Sequence, residues 1–175
     1  MVLAQEQTPN MILFAGSQMV NAPQTGAKPD QPSRILALDF GSKNIGLAVS
    51  DELGLTAQGL PTLRRSNKRN DFDHLRRVIR QFGVGEIVMG LPLRMSGAEG
   101  AQAEKVQAFA EELRRRFKLP VHLFDERLTS VEANRVLRET EMSIRRRAEV
   151  VDQLAAVLIL QSFLELRRAA PNVVE

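Results

Sequence analysis

The sequence predicts an α/β fold: a mixed five-stranded sheet whose first three strands are antiparallel, with helices on both faces. Three observations carry this reading. Two short apolar runs, residues 35–39 and 45–50, flank Gly41-Ser42-Lys43-Asn44, a glycine-led turn of hairpin length. After a third extended run, helix-period and strand-period segments alternate, which extends a sheet by crossovers. The chain then closes on a long segment, residues 148–168, that is apolar over a broad helical face and needs a sheet to cover it.

Residues 1–33 read as a disordered arm, with four prolines, several Gln and Asn, and no sustained periodicity. The domain is expected over 34–170, followed by a short tail at 171–175. A third strand is expected over 58–63, where Pro61 implies an edge position or an irregularity. Phe72, Leu75, Val78, Ile79 and Phe82 recur at helical spacing and stop at Gly83. Residues 86–91 (EIVMGL) read as a buried strand, followed by a turn-rich loop, PLRMSGAEG. A second helix is expected over 101–117 and a fifth strand over 120–125. Thr129 and Glu132 have the spacing of a capping box, so a third helix should start there and fade near 140.

Composition narrows the function. The 175 residues fit one domain with a substantial core. The absence of cysteine excludes disulfides, thiolate zinc sites and cysteine nucleophiles. No apolar run approaches the roughly 18 residues of a membrane span, and a cytoplasmic location is expected. The net charge is only +3, but basic residues cluster: Arg64, Arg65, Lys68, Arg69, Arg76, Arg77 and Arg80 form one group, and others lie at 114–116, 145–147 and 167–168. Solvated helix faces explain any single cluster. Several of them together with inward acids favour a polyanion partner. With no Trp or Tyr, a base-stacking platform is not expected, so phosphates and shape should be read instead.

The chemistry-bearing candidates are acids. Asp39 ends a core strand, where desolvation makes a carboxylate costly unless another charge completes the site. Glu126 follows the strand VHLF, and Asp152 lies early in the last helix. In a sheet of this order the first and fourth strands lie side by side, Asp39 and Glu126 sit at carboxyl ends, and the last helix presents Asp152 across them. Ala155 and Ala156 are small enough for a close approach. Three converging carboxylates would repel one another without a cation. With one or two Mg²⁺ or Mn²⁺ ions, they suit hydrolysis of a phosphodiester. Asp125 rivals Glu126, because strand alternation turns only one of them inward. The plainer alternatives are an ion pair for Glu126 and a capping role for Asp152.

The segments ALDFGSKNIGLAVSD, EIVMGLPLRMSG, FDERLTSVEANRVL and VDQLAAVLILQSFLE together resemble the YqgF/RuvX family of the RNase H-like superfamily, in that family's order, over residues 34–168. The resemblance implies an RNase H-like fold and a divalent-metal nuclease. Its catalytic and metal-binding acids would be Asp39, Glu126 of the DER motif and Asp152. It also implies either 5′-end processing of precursor 16S rRNA or Holliday-junction resolution. Two positions depart from the family pattern. Arg94 and Ser96 stand where relatives often carry Asn and Asp, and Asn44 stands where arginine is common.

Candidate nucleic-acid contacts are Lys43, Arg64, Arg65, Lys68, Arg69, Arg94, Arg127, Ser130, Arg145 and Arg146. Lys43 is equally readable as a solvated turn residue, and Thr129 as a simple cap. His74 and His122 are isolated and read as structural, and neither a Ser-His-Asp arrangement nor a P-loop is present. A homodimer would suit paired junction cleavage. Two other classes compete: an actin-like or sugar-kinase ATPase, for which one lobe is too few, and a nucleic-acid-binding module without catalysis.

Overall fold

The computed structural model describes residues 11–12, 20–21, 33–93, 100–126 and 144–169, with side chains over 33–93, 100–126 and 151–169. Within the expected arm, β1 (Met11–Ile12) and β2 (Val20–Asn21) form a two-residue antiparallel pair. The expected helix at 129–140 lies outside the described residues.

The main sheet contains β3 (Arg34–Phe40), β4 (Asn44–Ser50), β5 (Ala57–Arg64), β6 (Val84–Leu91) and β7 (Val121–Asp125) in the order β5-β4-β3-β6-β7. The first three are antiparallel neighbours, while β6 joins β3 and β7 joins β6 in parallel. The first and fourth strands expected from the sequence are therefore side by side. Strand β5 is an edge, and its pairing with β4 shifts register between Ile45↔Leu63 and Leu47↔Leu60. Pro61 lies within that shift, where no ladder hydrogen bond is required of it.

Helices α1 (Lys68–Phe82) and α2 (Ala101–Phe117) cover one face of the sheet, and α3 (Ile144–Ala169) covers the other. On the first face Leu36, Leu38, Ile87 and Met89 pack with Phe72, Leu75, Val106 and Leu113. On the second, Ile35, Ala37, Ala48 and Val88 meet Ala156, Ile159, Leu160 and Phe163. Strand alternation sorts these sets, since neighbouring residues point to opposite faces. Each inner strand is apolar on both faces because both are covered. Helix α3 begins four residues earlier than its apolar pattern implied, with the basic run at 145–147 forming its first turn. Apolar periodicity marks the buried face of a helix and is silent about a turn that extends beyond it.

Candidate functional site

Ile35, Ala37 and Asp39 alternate onto the α3 face of β3, so Asp39 is the position at which that apolar stripe ends. Across the ladder it faces Gly46 of β4. A Cβ at Gly46 would overlap the backbone carbonyl of Asp152 and come within 3.3 Å of the Asp39 Cβ. A glycine inside a strand marks such a close approach of another backbone. Here it lets the helical turn carrying Asp152 settle onto the sheet beside Asp39.

Asp152 is also held from below. The turn between β3 and β4 closes with the Gly41 N–H donating to the Asn44 carbonyl at 2.9 Å. From that turn the Asn44 amide Nδ2 donates to Asp152 Oδ2 at 2.7 Å.

Glu126 lies just past β7, and its carboxylate sits over Gly90 of β6, where a Cβ would overlap Glu126 Oε1. Asp125 takes the register position opposite Leu91, a residue packed with the cluster on the α1/α2 side. Of the adjacent acids, the geometry places Glu126 on the face that Asp39 occupies.

The electrostatics of this face are one-sided. Burial and then the charge of Asp152 push the Asp39 carboxyl up from 3.8 to about 6. Burial, then Asp39, then Asp125 push Glu126 up to about 7. As they stand, the acids do not form a ligand cage: among the described residues no group of three His, Cys, Asp or Glu side chains is close enough to hold an ion. The donor set itself fits a hard divalent cation: it is all carboxylate oxygen, half-buried, and carries negative charge that a cation would relieve.

The basic candidates divide. Lys43, Arg64 and Arg69 are exposed. Arg65 is committed within the chain: Nη1 donates to the Gly41 carbonyl at 2.9 Å, Nε lies 3.6 Å from Asp71 Oδ2, and the guanidinium stacks 4.4 Å above the Phe40 ring. Lys68 pairs with Glu112. Arg94, Ser96, Arg127, Thr129 and Ser130 lie outside the described residues, as do the side chains of Arg145 and Arg146. His122 lies 3.2 Å from Glu86, in a structural cluster well away from Asp39 in the strand register.

Sequence reasoning missed two residues that shape the site, Gly46 and Gly90, although isolated glycines within apolar strands are a readable signal. Asn44 stood out only as a departure from the family pattern, and its bond to Asp152 was not readable, since that partner is 108 residues away. No helix among the described residues is long and apolar enough to cross a membrane.

Comparison with known proteins adds a family. Residues 33–166 match RuvX, described as Holliday junction resolvase. A Koribacter versatilis (strain Ellin345) protein named "Putative pre-16S rRNA nuclease" is 66% identical over 134 residues, covering 77% of this chain and 88% of that protein. A Moorella thermoacetica protein of the same name is 54% identical over 132 residues, covering 75% of this chain and 94% of that one. A solved structure, T. thermophilus RuvC in complex with Holliday junction substrate, aligns with a TM-score of 0.49 and 15% identity, over 77% of this chain and 96% of that one.

Proposed function

Because the chain belongs to the RuvX family, we propose that it is a divalent-metal-dependent endonuclease acting on structured nucleic acid, with precursor 16S rRNA as its substrate. Asp39, Glu126 and Asp152 would hold the metal and carry the catalysis. The observation that supports this most directly is the pair of raised carboxyls on one sheet face, beside a third acid brought in by α3. Misplaced charge of this kind is what a catalytic site tolerates and a structural one avoids.

When bound, Mg²⁺ or Mn²⁺, singly or as a pair, would activate a water and stabilise the leaving oxygen of the phosphodiester. The chain's own residues prepare that chemistry. Asp39 offers its carboxylate from an inner strand, and Asn44 holds one oxygen of Asp152. Carboxylate ligands bind a cation in their ionised form, so loading should weaken as pH falls through the raised values of Asp39 and Glu126. Asp125 supplies further negative charge next to Glu126. The arginine-rich surface would neutralise substrate phosphates, without reading bases.

The family description favours a second reading, cleavage of four-way DNA junctions, for which a homodimer would supply two active sites. One panel separates the two. The purified chain is incubated with Mg²⁺ or Mn²⁺ and either a 5′-extended 16S rRNA precursor or a four-way junction. Asp39→Asn and Asp152→Asn run alongside. Metal-dependent trimming of the RNA, reduced at least a thousandfold in both variants, is the expected result. Paired symmetric nicks in the junction alone would make the substrate DNA. Binding of nucleic acid without cleavage of either would leave a non-catalytic module. Wild-type rates in either variant would overturn the three-carboxylate site.

A further inference from the structure

On the α1/α2 side of the turn 41–44 lies a cleft of about 430 Å³, lined by Ser42, Lys43, Arg64, Ser66, Asn67 and Lys68, with Arg65, Asp71 and Phe109 forming its base. We infer that this cleft is a second phosphate site. It takes a backbone phosphate of the same strand whose neighbouring linkage the carboxylates engage. The identity of the ligand rests on the nuclease reading above; the cleft itself rests on its own charge inventory.

That inventory leaves a surplus of positive charge. Asp71, the one acid in the wall, is buried and satisfied: Oδ1 accepts the Ser66 N–H at 3.1 Å, and Oδ2 faces the Arg65 guanidinium at 3.6 Å. Lys68 is answered by Glu112. Lys43 and Arg64 are exposed and have no carboxylate partner among the described residues. Around them stand the hydroxyls of Ser42 and Ser66. The Asn67 amide oxygen accepts from the Asn70 N–H at 2.9 Å, so its NH₂ is the half that remains for a ligand. Two free cations ringed by neutral donors suit a singly charged phosphodiester. A base is not accommodated, because Phe109 is buried and packed on Phe40 and Phe72, with no face open for stacking.

The turn ties this cleft to the acids. Asn44 reaches Asp152 on one side of it. On the other, the Arg65 N–H donates to the Lys43 carbonyl at 2.9 Å and Arg65 Nη1 donates to the Gly41 carbonyl at 2.9 Å. The turn is thereby a fixed ridge between the two sites, and a strand using both must cross it. Asp39 and Lys43 are four residues apart in sequence, one at the end of β3 and the other in the turn that forms the ridge.

The test measures binding, in EDTA, of an RNA hairpin with a single-stranded 5′ extension to the full-length Asp39→Asn chain across a salt series. Lys43→Ala/Arg64→Ala added to that chain should weaken binding about 10- to 100-fold at low salt. It should also lower the slope of log K against log salt by about 1–2. Arg77→Ala/Arg80→Ala, the same charge change at the far end of α1, should stay within about twofold. A neutral methylphosphonate walked along the extension should weaken binding at one position, and that effect should vanish in Lys43→Ala/Arg64→Ala. An unchanged slope overturns the inference, as does an equal loss in the α1 control or a scan with no such position. If the wild-type chain still cleaves RNA in those cases, only the cleft is wrong. If it neither binds nor cleaves, the nuclease reading falls as well.

Discussion

Glu86 and Glu126 lie on the same face of the sheet and under the same helix, yet their surroundings treat them in opposite ways. Burial raises the Glu86 carboxyl, but hydrogen bonds from His122 and Arg167, with the charge of both, outweigh it and leave the group below its ordinary range. Arg167, in the last turn of α3, grips it with two parallel bonds of 3.0 and 3.1 Å, and His122 Nε2 lies 3.2 Å away. At the other end of the sheet burial and the neighbouring carboxylates raise the pKa of Asp39 and Glu126. One end of α3 is fastened by an ion pair; the other brings Asp152 to two further acids. The ion pair adds to the apolar packing of Ala156, Ile159, Leu160 and Phe163 that holds α3 on the sheet.

Arg167→Ala breaks this contrast most severely. It leaves Glu86, which is almost wholly buried, without its main counter-charge. Removing one partner of a buried pair costs about 3–5 kcal/mol. Arg167 is itself about one-third exposed, so a loss of about 2–3 kcal/mol is expected. Urea denaturation with unchanged m-value would register it. Glu86→Gln/Arg167→Met, which removes both charges, should recover much of the loss. A single variant as stable as wild type would mean that the pair does not anchor α3.

The two ends should also give the metal-free protein opposite pH limits. Glu86 has a lowered folded pKa, so its contribution is present above its unfolded value near 4.5 and is lost as pH falls through the folded one. Asp39 and Glu126 have raised folded values. Their protonated forms favour folding in acid, and that support is lost as pH rises through about 6 and about 7. In EDTA, stability should therefore peak near about pH 4.5, fall as pH rises to about 7 and stay low at pH 8. Asp39→Asn should flatten the alkaline decline and raise stability at pH 8 by about 1–2 kcal/mol, allowing for partial exposure. Melting curves at pH 5 and pH 8 test both parts. Mn²⁺ should also lift the pH 8 curve of the wild-type chain, by binding the folded state alone. A stability of the metal-free chain that rises from pH 6 to 8 would contradict the assigned repulsion.

The two ends also differ in how far the sequence revealed them. Asp39 was conspicuous because a carboxylate broke an apolar run, and the order of hairpin and crossovers was enough to bring it near Glu126 and Asp152. The adjacency of β3 and β6 and the edge position of Pro61 followed from the same local patterns. The Glu86 cluster was not legible. Glu86 opens an apolar run like any solvent-facing strand residue, and its partners lie 36 and 81 residues away. His122 was expected to be structural, yet its role is fixed only by that tertiary contact. Arg65 shows the same limit: a basic cluster does not reveal which of its members is folded inward. Composition reports charge, whereas pairing requires three-dimensional proximity.

Asn44 offers the finest adjustment of the comparison. At Glu86 the chain uses a cation to hold a carboxylate, and at Asp152 it uses a neutral amide. The amide orients the Asp152 carboxylate and leaves its charge intact. Asn44→Ala should therefore weaken Mn²⁺ binding about tenfold, the low end for loss of a group that orients a metal ligand, with little change in metal-free stability. The Asn44 side chain is only half-buried, so its removal leaves no large cavity. Asn44→Arg, which places the residue common at this position in the family, should keep Mn²⁺ binding closer to wild type than Asn44→Ala does, since a donor to Asp152 is retained. Mn²⁺ titration by electron paramagnetic resonance, alongside thermal melts, reads the two effects separately. Equal Mn²⁺ affinity in all three chains would show that Asp152 does not depend on the turn for its orientation.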